Sequence, residues 1–160
     1  EQMSINLNDN NRGGTFCLSK AGLAIGSTAS QIAIAAPNCA GVDYCIKGVL
    51  YHKADAATAA ITAAAAQAPS TTCLYVVCLN SGGTVSSVKG REVLNSALTA
   101  GTDVLEWPEV DEDVCPIGAV KVALDATAGG FTAGTTNFSA ANVTDTYYDL
   151  FTIPSAPLTA

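Results

Sequence analysis

Hydrophobic and polar positions divide the chain into short apolar runs separated by turn-forming residues. The clearest run opens Thr71–Gly90, TTCLYVVCLNSGGTVSSVKG. Within it Cys73, Tyr75, Val77 and Leu79 alternate with Leu74, Val76 and Cys78. Successive strand residues point to opposite faces, so a run that is apolar at both parities predicts a central strand covered on both sides. Ser81-Gly82-Gly83 then supplies the positive φ angles of a tight turn, and a second strand returns along the first.

The other runs are shorter. Ser30–Pro37 alternates Ile32 and Ile34 with alanines and predicts a strand, followed by a turn at Pro37–Gly41. Asp43–Lys53 predicts one strand with Tyr44, Ile46, Leu50 and His52 on a common face and Gly48 as a bulge. Arg91–Thr102 predicts a single helical turn or a loop, and Asp103–Cys115 an acidic loop. Pro116–Asp125 and Asp145–Pro154 complete the strands. Between them lie a Gly/Ala/Thr loop around Phe131 and a polar connector over Asn137–Thr144.

Ala54–Ala68 is ambiguous. Ten of its fifteen residues are Ala, with Asp55 placed as an N-cap and Pro69 as a stop, so propensity favours a helix. Ile61 is its only large apolar residue, and Thr58, Ala60, Thr62 and Ala64 equally read as an alternating strand.

Several short strands with turn signals between them predict a mainly β fold, an antiparallel sandwich or barrel-like domain with extended terminal arms. The predicted organisation is an arm over residues 1–14, one β-rich domain over 15–154 and a tail over 155–160. The C-terminal arm is drawn to begin as early as Asp149.

Composition narrows the function. The formal charge is −7, and the seven basic residues are scattered from Arg12 to Lys121. Neutralising phosphates needs clustered Lys and Arg, so the charge balance argues against a nucleic-acid partner. No apolar run approaches the ~20 residues that span a bilayer, so no membrane span is expected. Only 13% of residues are charged, which suits a surface partly covered by neighbours in an assembly.

The six cysteines are expected to be mostly buried free thiols. Cys73 and Cys78 fall on opposite faces of one strand and should not pair. Cys39 and Cys45 flank a turn and could.

Chemistry-bearing groups are sparse. His52 is the only histidine, and no Gly-x-Ser-x-Gly elbow accompanies it. The spacings Cys39-x5-Cys45 and Cys73-x4-Cys78 do not suit zinc. No catalytic residue, metal or cofactor is expected. Glu106, Glu109, Asp111, Glu112 and Asp113 surround Trp107, a solvated acidic loop or an electrostatic dock with an aromatic anchor. Trp107, Glu109, Asp111, Glu112, Asp113, Tyr147, Tyr148 and Phe151 are the candidate contact residues.

The order of phrases carries a resemblance. IAIAAPN precedes YCIKGVLYHKADAAT, then AAAAQAPSTTCLYVVCLNSGGTV, CPIGAVKVALD and FTAGTTNFSAANVTDTYYDL. Over roughly Gly22 to Pro154 the chain resembles small virion proteins of tailed bacteriophages, in particular capsid decoration, or cement, proteins. The resemblance implies a structural protein on the capsid surface, most often a homotrimer, whose partner is the major capsid protein. It also tips Ala54–Ala68 toward strand. The alternatives are a receptor-binding or fibre-type adhesin with outward aromatics, and a self-polymerising filament subunit.

Overall fold

A computed structural model of the chain describes residues 14–151. The arm predicted over 1–14 and the tail over 155–160 therefore lie almost entirely outside the described residues. Among the described residues eleven strands and one short α-helix follow in order: β1 (Phe16–Cys17), β2 (Leu23–Ile25), β3 (Ile32–Ile34), β4 (Val42–Ile46), β5 (Val49–Lys53), β6 (Ala56–Ala59), β7 (Thr71–Asn80), β8 (Val85–Lys89), β9 (Val93–Leu94), α1 (Asn95–Ala100), β10 (Val114–Leu124) and β11 (Val143–Asp149). All pairings are antiparallel. They form a five-stranded sheet, β11-β10-β7-β8 with β9 also on β7, and two small sheets, β1-β4-β5 and β2-β3-β6. The fold is mainly β, as the sequence predicts, and sandwich-like in arrangement; no sheet closes into a barrel.

β7 is the centre. Every residue from Thr71 to Leu79 is buried. Cys73, Tyr75, Val77 and Leu79 enter the main core with Ile32, Ile34, Tyr44 and Ile117, so residues of both small sheets pack on this inner face. Val76 and Cys78 point the other way, into a second cluster with Ala119. The opposite facing of Cys73 and Cys78 is as predicted. The returning turn is held by Asn80, whose Oδ1 accepts from the N–H groups of Gly82 and Thr84 at 2.9 Å each, while Gly83 takes the positive φ.

Asp43–Lys53 is a hairpin rather than one bulged strand. Lys47 (φ 50) and Gly48 (φ 83) form a two-residue turn, the geometry that matches the twist of antiparallel strands. The turn changes the facing that strict alternation predicts. Tyr44 now lies opposite Tyr51, with rings stacked at 5.6 Å, whereas Leu50 and His52 face away with Asp43 and Cys45. The Tyr44 hydroxyl donates to the Asn80 carbonyl at 2.8 Å and ties this hairpin to the end of β7.

Ala54–Ala68 is extended. Its first part is β6, paired to β3, and Asp55 accepts from the Ala36 N–H at 3.1 Å instead of capping a helix. Small side chains allow close approach, which a helix without an apolar stripe would not exploit. Further along, Thr62 and Ser87 exchange backbone–side-chain bonds at 3.0 Å in both directions and so cover the open edge of β8.

The segment ends at Gln67, which is fully buried. Its Nε2 donates to the carbonyls of Thr71 and Val122 at 3.0 Å each, and its Oε1 accepts from the Tyr75 hydroxyl at 3.2 Å. Its backbone exchanges two bonds with Phe131. One side chain thereby joins β7, β10 and the Phe131 loop. From Tyr75 a file of rings runs through Phe131 and Phe138 to Tyr147, at centroid distances of 5.7, 5.1 and 6.3 Å. The Gly/Ala/Thr loop and polar connector thus each deliver a core phenylalanine.

β10 begins at Val114, two residues before the predicted start, and shifts register between Pro116 and Gly118. A bulge is where an inner strand tolerates proline. At Gly118 a Cβ would come within 2.2 Å of Leu23 Cδ1 and 2.6 Å of the Tyr148 carbonyl. The last strand spans Val143–Asp149, earlier than predicted. Asp149 accepts from the Leu23 N–H at 3.0 Å, and the Leu150 N–H reaches the Ile117 carbonyl at 3.0 Å. Asp149 therefore belongs to the domain and not to an arm. Arg91–Thr102 contains β9 and α1, closed by Gly101 at φ 67.

Replacing Gln67 by Ala should cost roughly 2–4 kcal/mol, because it leaves a cavity and unpaired buried groups. Denaturant unfolding measures this. Gln67→Glu places a buried carboxylate facing two carbonyls. Its stability should improve as pH falls, whereas the Ala variant should lack that gain.

Candidate functional site

The outer face of the large sheet is covered by residues 103–113. β8 ends at Lys89, and the N–H of the following Gly90 bonds the Leu74 carbonyl at 2.7 Å. A Cβ on Gly90 would lie 3.0 Å from that carbonyl oxygen, 3.4 Å from the Glu106 carbonyl oxygen and 3.4 Å from Pro108 Cδ. The missing side chain lets the acidic segment lie close against the sheet. Val110 and Val114 then pack on Val76, Cys78 and Ala119. The predicted acidic loop is thus also the second cover of β7.

Ion pairs fix both ends of this segment. Arg91 donates twice to Asp103, at 2.9 and 2.6 Å, and once to the Val104 carbonyl at 3.2 Å; its Nε lies 3.5 Å from Glu106. The Arg91 guanidinium holds the Asp103 carboxyl down to about 2, and Asp103 in turn raises Arg91. At the other end Lys47 pairs with Asp113, which raises the lysine. Both pairs are largely solvent-accessible, so apolar contact supplies most of the hold and the pairs set the position.

The candidate contact residues fall into groups. Trp107 is 56% exposed beside the sheet-bound Pro108. Glu109 and Glu112 line a shallow cleft with Pro108 and Val110. Asp111 accepts from the Asp113 N–H at 3.2 Å and shapes the turn before β10. Tyr148 lies opposite Ala119 in the sheet register and therefore shares the outer face. Phe151 is exposed just past β11.

Tyr147 does not join this surface. It lies opposite Val120, on the inner face, and packs against Phe138. Burial, then the Asp145 carboxylate, pushes its phenol up. The residues missed from sequence are Arg91, Lys47 and Val110. Two valines in an otherwise acidic stretch, Val110 and Val114, were the available signal of a sheet-facing side.

The remaining chemistry is quiet. His52 Nδ1 lies 2.7 Å from Asp43 Oδ1 on the exposed side of the β4–β5 hairpin, and the Asp43 N–H donates to Ser19 Oγ at 2.8 Å. Among the described residues no group of three or more His, Cys, Asp or Glu is placed to hold a metal. No described helix is long and apolar enough to cross a membrane. None of the six cysteines forms a disulfide, so Cys39 and Cys45 are not bridged; Cys39 alone is exposed. Burial raises Cys17 and Cys73 to about 11 and Cys115 to about 12.

The fold defines a class, a mainly β antiparallel domain with an acidic cover on its large sheet. Comparison with protein-family models, curated proteins and solved structures finds no match.

Trp107 is the sole tryptophan, so its fluorescence reports on the cover. Asp103 is held below its ordinary value of 3.8, so its bond to Arg91 contributes above that pH and is lost as pH falls through about 2. Emission should stay constant down to pH 4 and shift to the red near pH 2. Arg91→Ala should show the shifted emission already at neutral pH. A second check uses the thiols. A water-soluble thiol reagent should label one cysteine rapidly in the native protein, Cys39, and all six after denaturation.

Proposed function

We propose that the chain is a virion structural protein, a capsid decoration or cement protein that binds the outside of a phage head as an oligomer, a homotrimer, against the major capsid protein. The reading rests on the resemblance of its phrases to such proteins and on one surface. That surface is the acidic cover, which sets half-exposed Trp107 among Glu106, Glu109 and Glu112 on the sheet face that also carries Tyr148. An aromatic anchor ringed by charge is the usual composition of a protein-binding patch. The carboxylates would steer the chain toward a basic shell surface and fix its orientation. Many equivalent shallow contacts on one shell make a modest single contact durable when the subunits are joined.

Heads stripped of the protein provide the test. The purified chain should bind them at many sites per particle, more weakly as salt rises. Trp107→Ala and the pair Glu109→Lys with Glu112→Lys should each lower affinity at least ~10-fold, the range of an interface anchor. Both changes are at exposed positions, so melting temperatures should hardly move. Failure of the wild-type chain to bind heads, or variants that bind like it, would refute the reading. Binding in a few copies at the tail would favour the adhesin instead.

A further inference from the structure

Among the described residues the large sheet ends on β8. Two bonds fix which way the β8 backbone points. Gly90 N–H donates to the Leu74 carbonyl at 2.7 Å, and Asn80 N–H to the Thr84 carbonyl at 3.2 Å. By antiparallel alternation Ser86 and Val88 bond toward β7, and the backbone groups of Val85, Ser87 and Lys89 point away from it. Such a row of outward amides and carbonyls is a template for a further strand.

Residues 62–66 lie along that row. Ser87 N–H donates to Thr62 Oγ1, and Thr62 N–H donates to Ser87 Oγ, at 3.0 Å each. The Lys89 ammonium donates to the Ala65 carbonyl at 2.8 Å and pairs with Glu92, whose Oε2 accepts from the Ala68 N–H at 3.0 Å. The Lys89 and Glu92 side chains are only 14% and 28% exposed, so this pair is better shielded than the pairs that pin the acidic cover. Buried Ile61 and Gln67 anchor the two ends of the segment. Thr62–Ala66 itself is not a strand, and these contacts with β8 each use a side chain. A strand laid on β8 would only move the edge outward, whereas an irregular segment held through side chains ends it.

We propose that residues 62–66 are an edge guard, an autoinhibitory contact that keeps β8 from pairing with β8 of a second copy. A two-fold pairing centred on Ser87 sets Val85 opposite Lys89 of the second copy and Ser87 opposite its own counterpart. Every outward-pointing residue then meets another, the arrangement in which antiparallel residues exchange both bonds. Each lysine falls opposite a valine, so no like charges meet across the pair. The edge is self-complementary, as an isologous contact requires, and the guard stands in its way. The contact involves no head, so it stands or falls apart from the head-binding reading.

Light scattering on the purified chain tests it, with Thr62→Val and Lys89→Met combined to lift the guard at nearly constant side-chain bulk. At equal concentration the double variant should have at least twice the wild-type mass, with unchanged far-ultraviolet circular dichroism. Adding Ser87→Pro should restore the wild-type mass, because proline removes the central donor of the pairing and is tolerated where the N–H points outward. Ile117→Val, a core change on β10, should keep the wild-type mass, which separates lifting the guard from general destabilisation. Hydrogen exchange gives a reading that needs no assembly: the Ser87 amide should exchange several-fold faster in Thr62→Val than in the wild type. A double variant of wild-type mass, or one that stays associated with Ser87→Pro, overturns the proposal. So does equal association by Ile117→Val, or a Ser87 amide that exchanges at the same rate with and without the Thr62 hydroxyl.

Discussion

A strand buried on both faces needs two covers, and this domain is arranged to supply them to β7. The inner cover is conventional: two small sheets and a file of aromatic rings. The outer cover is a segment without regular structure, residues 103–113, pinned by Arg91 and Lys47 and seated by Val110. Burying an apolar side chain such as Val76 is worth about 1.5–3 kcal/mol, which is reason enough for the segment to stay down. Val110 serves the fold, Asp103 and Asp113 pin the two ends, and Trp107, Glu109 and Glu112 are left exposed.

Gln67 performs the corresponding service inside. Burying an amide is costly unless its donors and acceptor are all met. Here both donor bonds, the acceptor and the backbone groups are used, and they join strands distant in sequence. The polar side chain fixes where the Ala-rich segment ends, a position that small apolar residues alone would leave poorly specified.

The parts legible in the sequence were those whose signal is local. The two-parity apolar run of β7, its glycine turn and the alternation of β10 each follow from side-chain period. The β4–β5 hairpin was not legible as such, because Lys47-Gly48 does not interrupt the apolar pattern. Only the positive φ of both residues shows that the facing changes there. Phe131 and Phe138 sit in stretches of Gly, Thr and Asn, where a lone aromatic is the only hint of a core anchor. Gln67 gives no local hint, since its partners lie 4, 8 and 55 residues away. Of the candidate site, the acidic segment and Trp107 could be read directly. The placement of Tyr148 outward and Tyr147 inward required the register with β10.

The central claim is that the outer cover of β7 is also the surface by which this domain holds a neighbouring protein. Electron cryomicroscopy of isolated particles bears on it most directly. The account predicts many copies spread over the head, each with Trp107, Tyr148 and the acidic segment buried against the shell. A chain found only at the tail, or one on the head with that face turned to solvent, would contradict it.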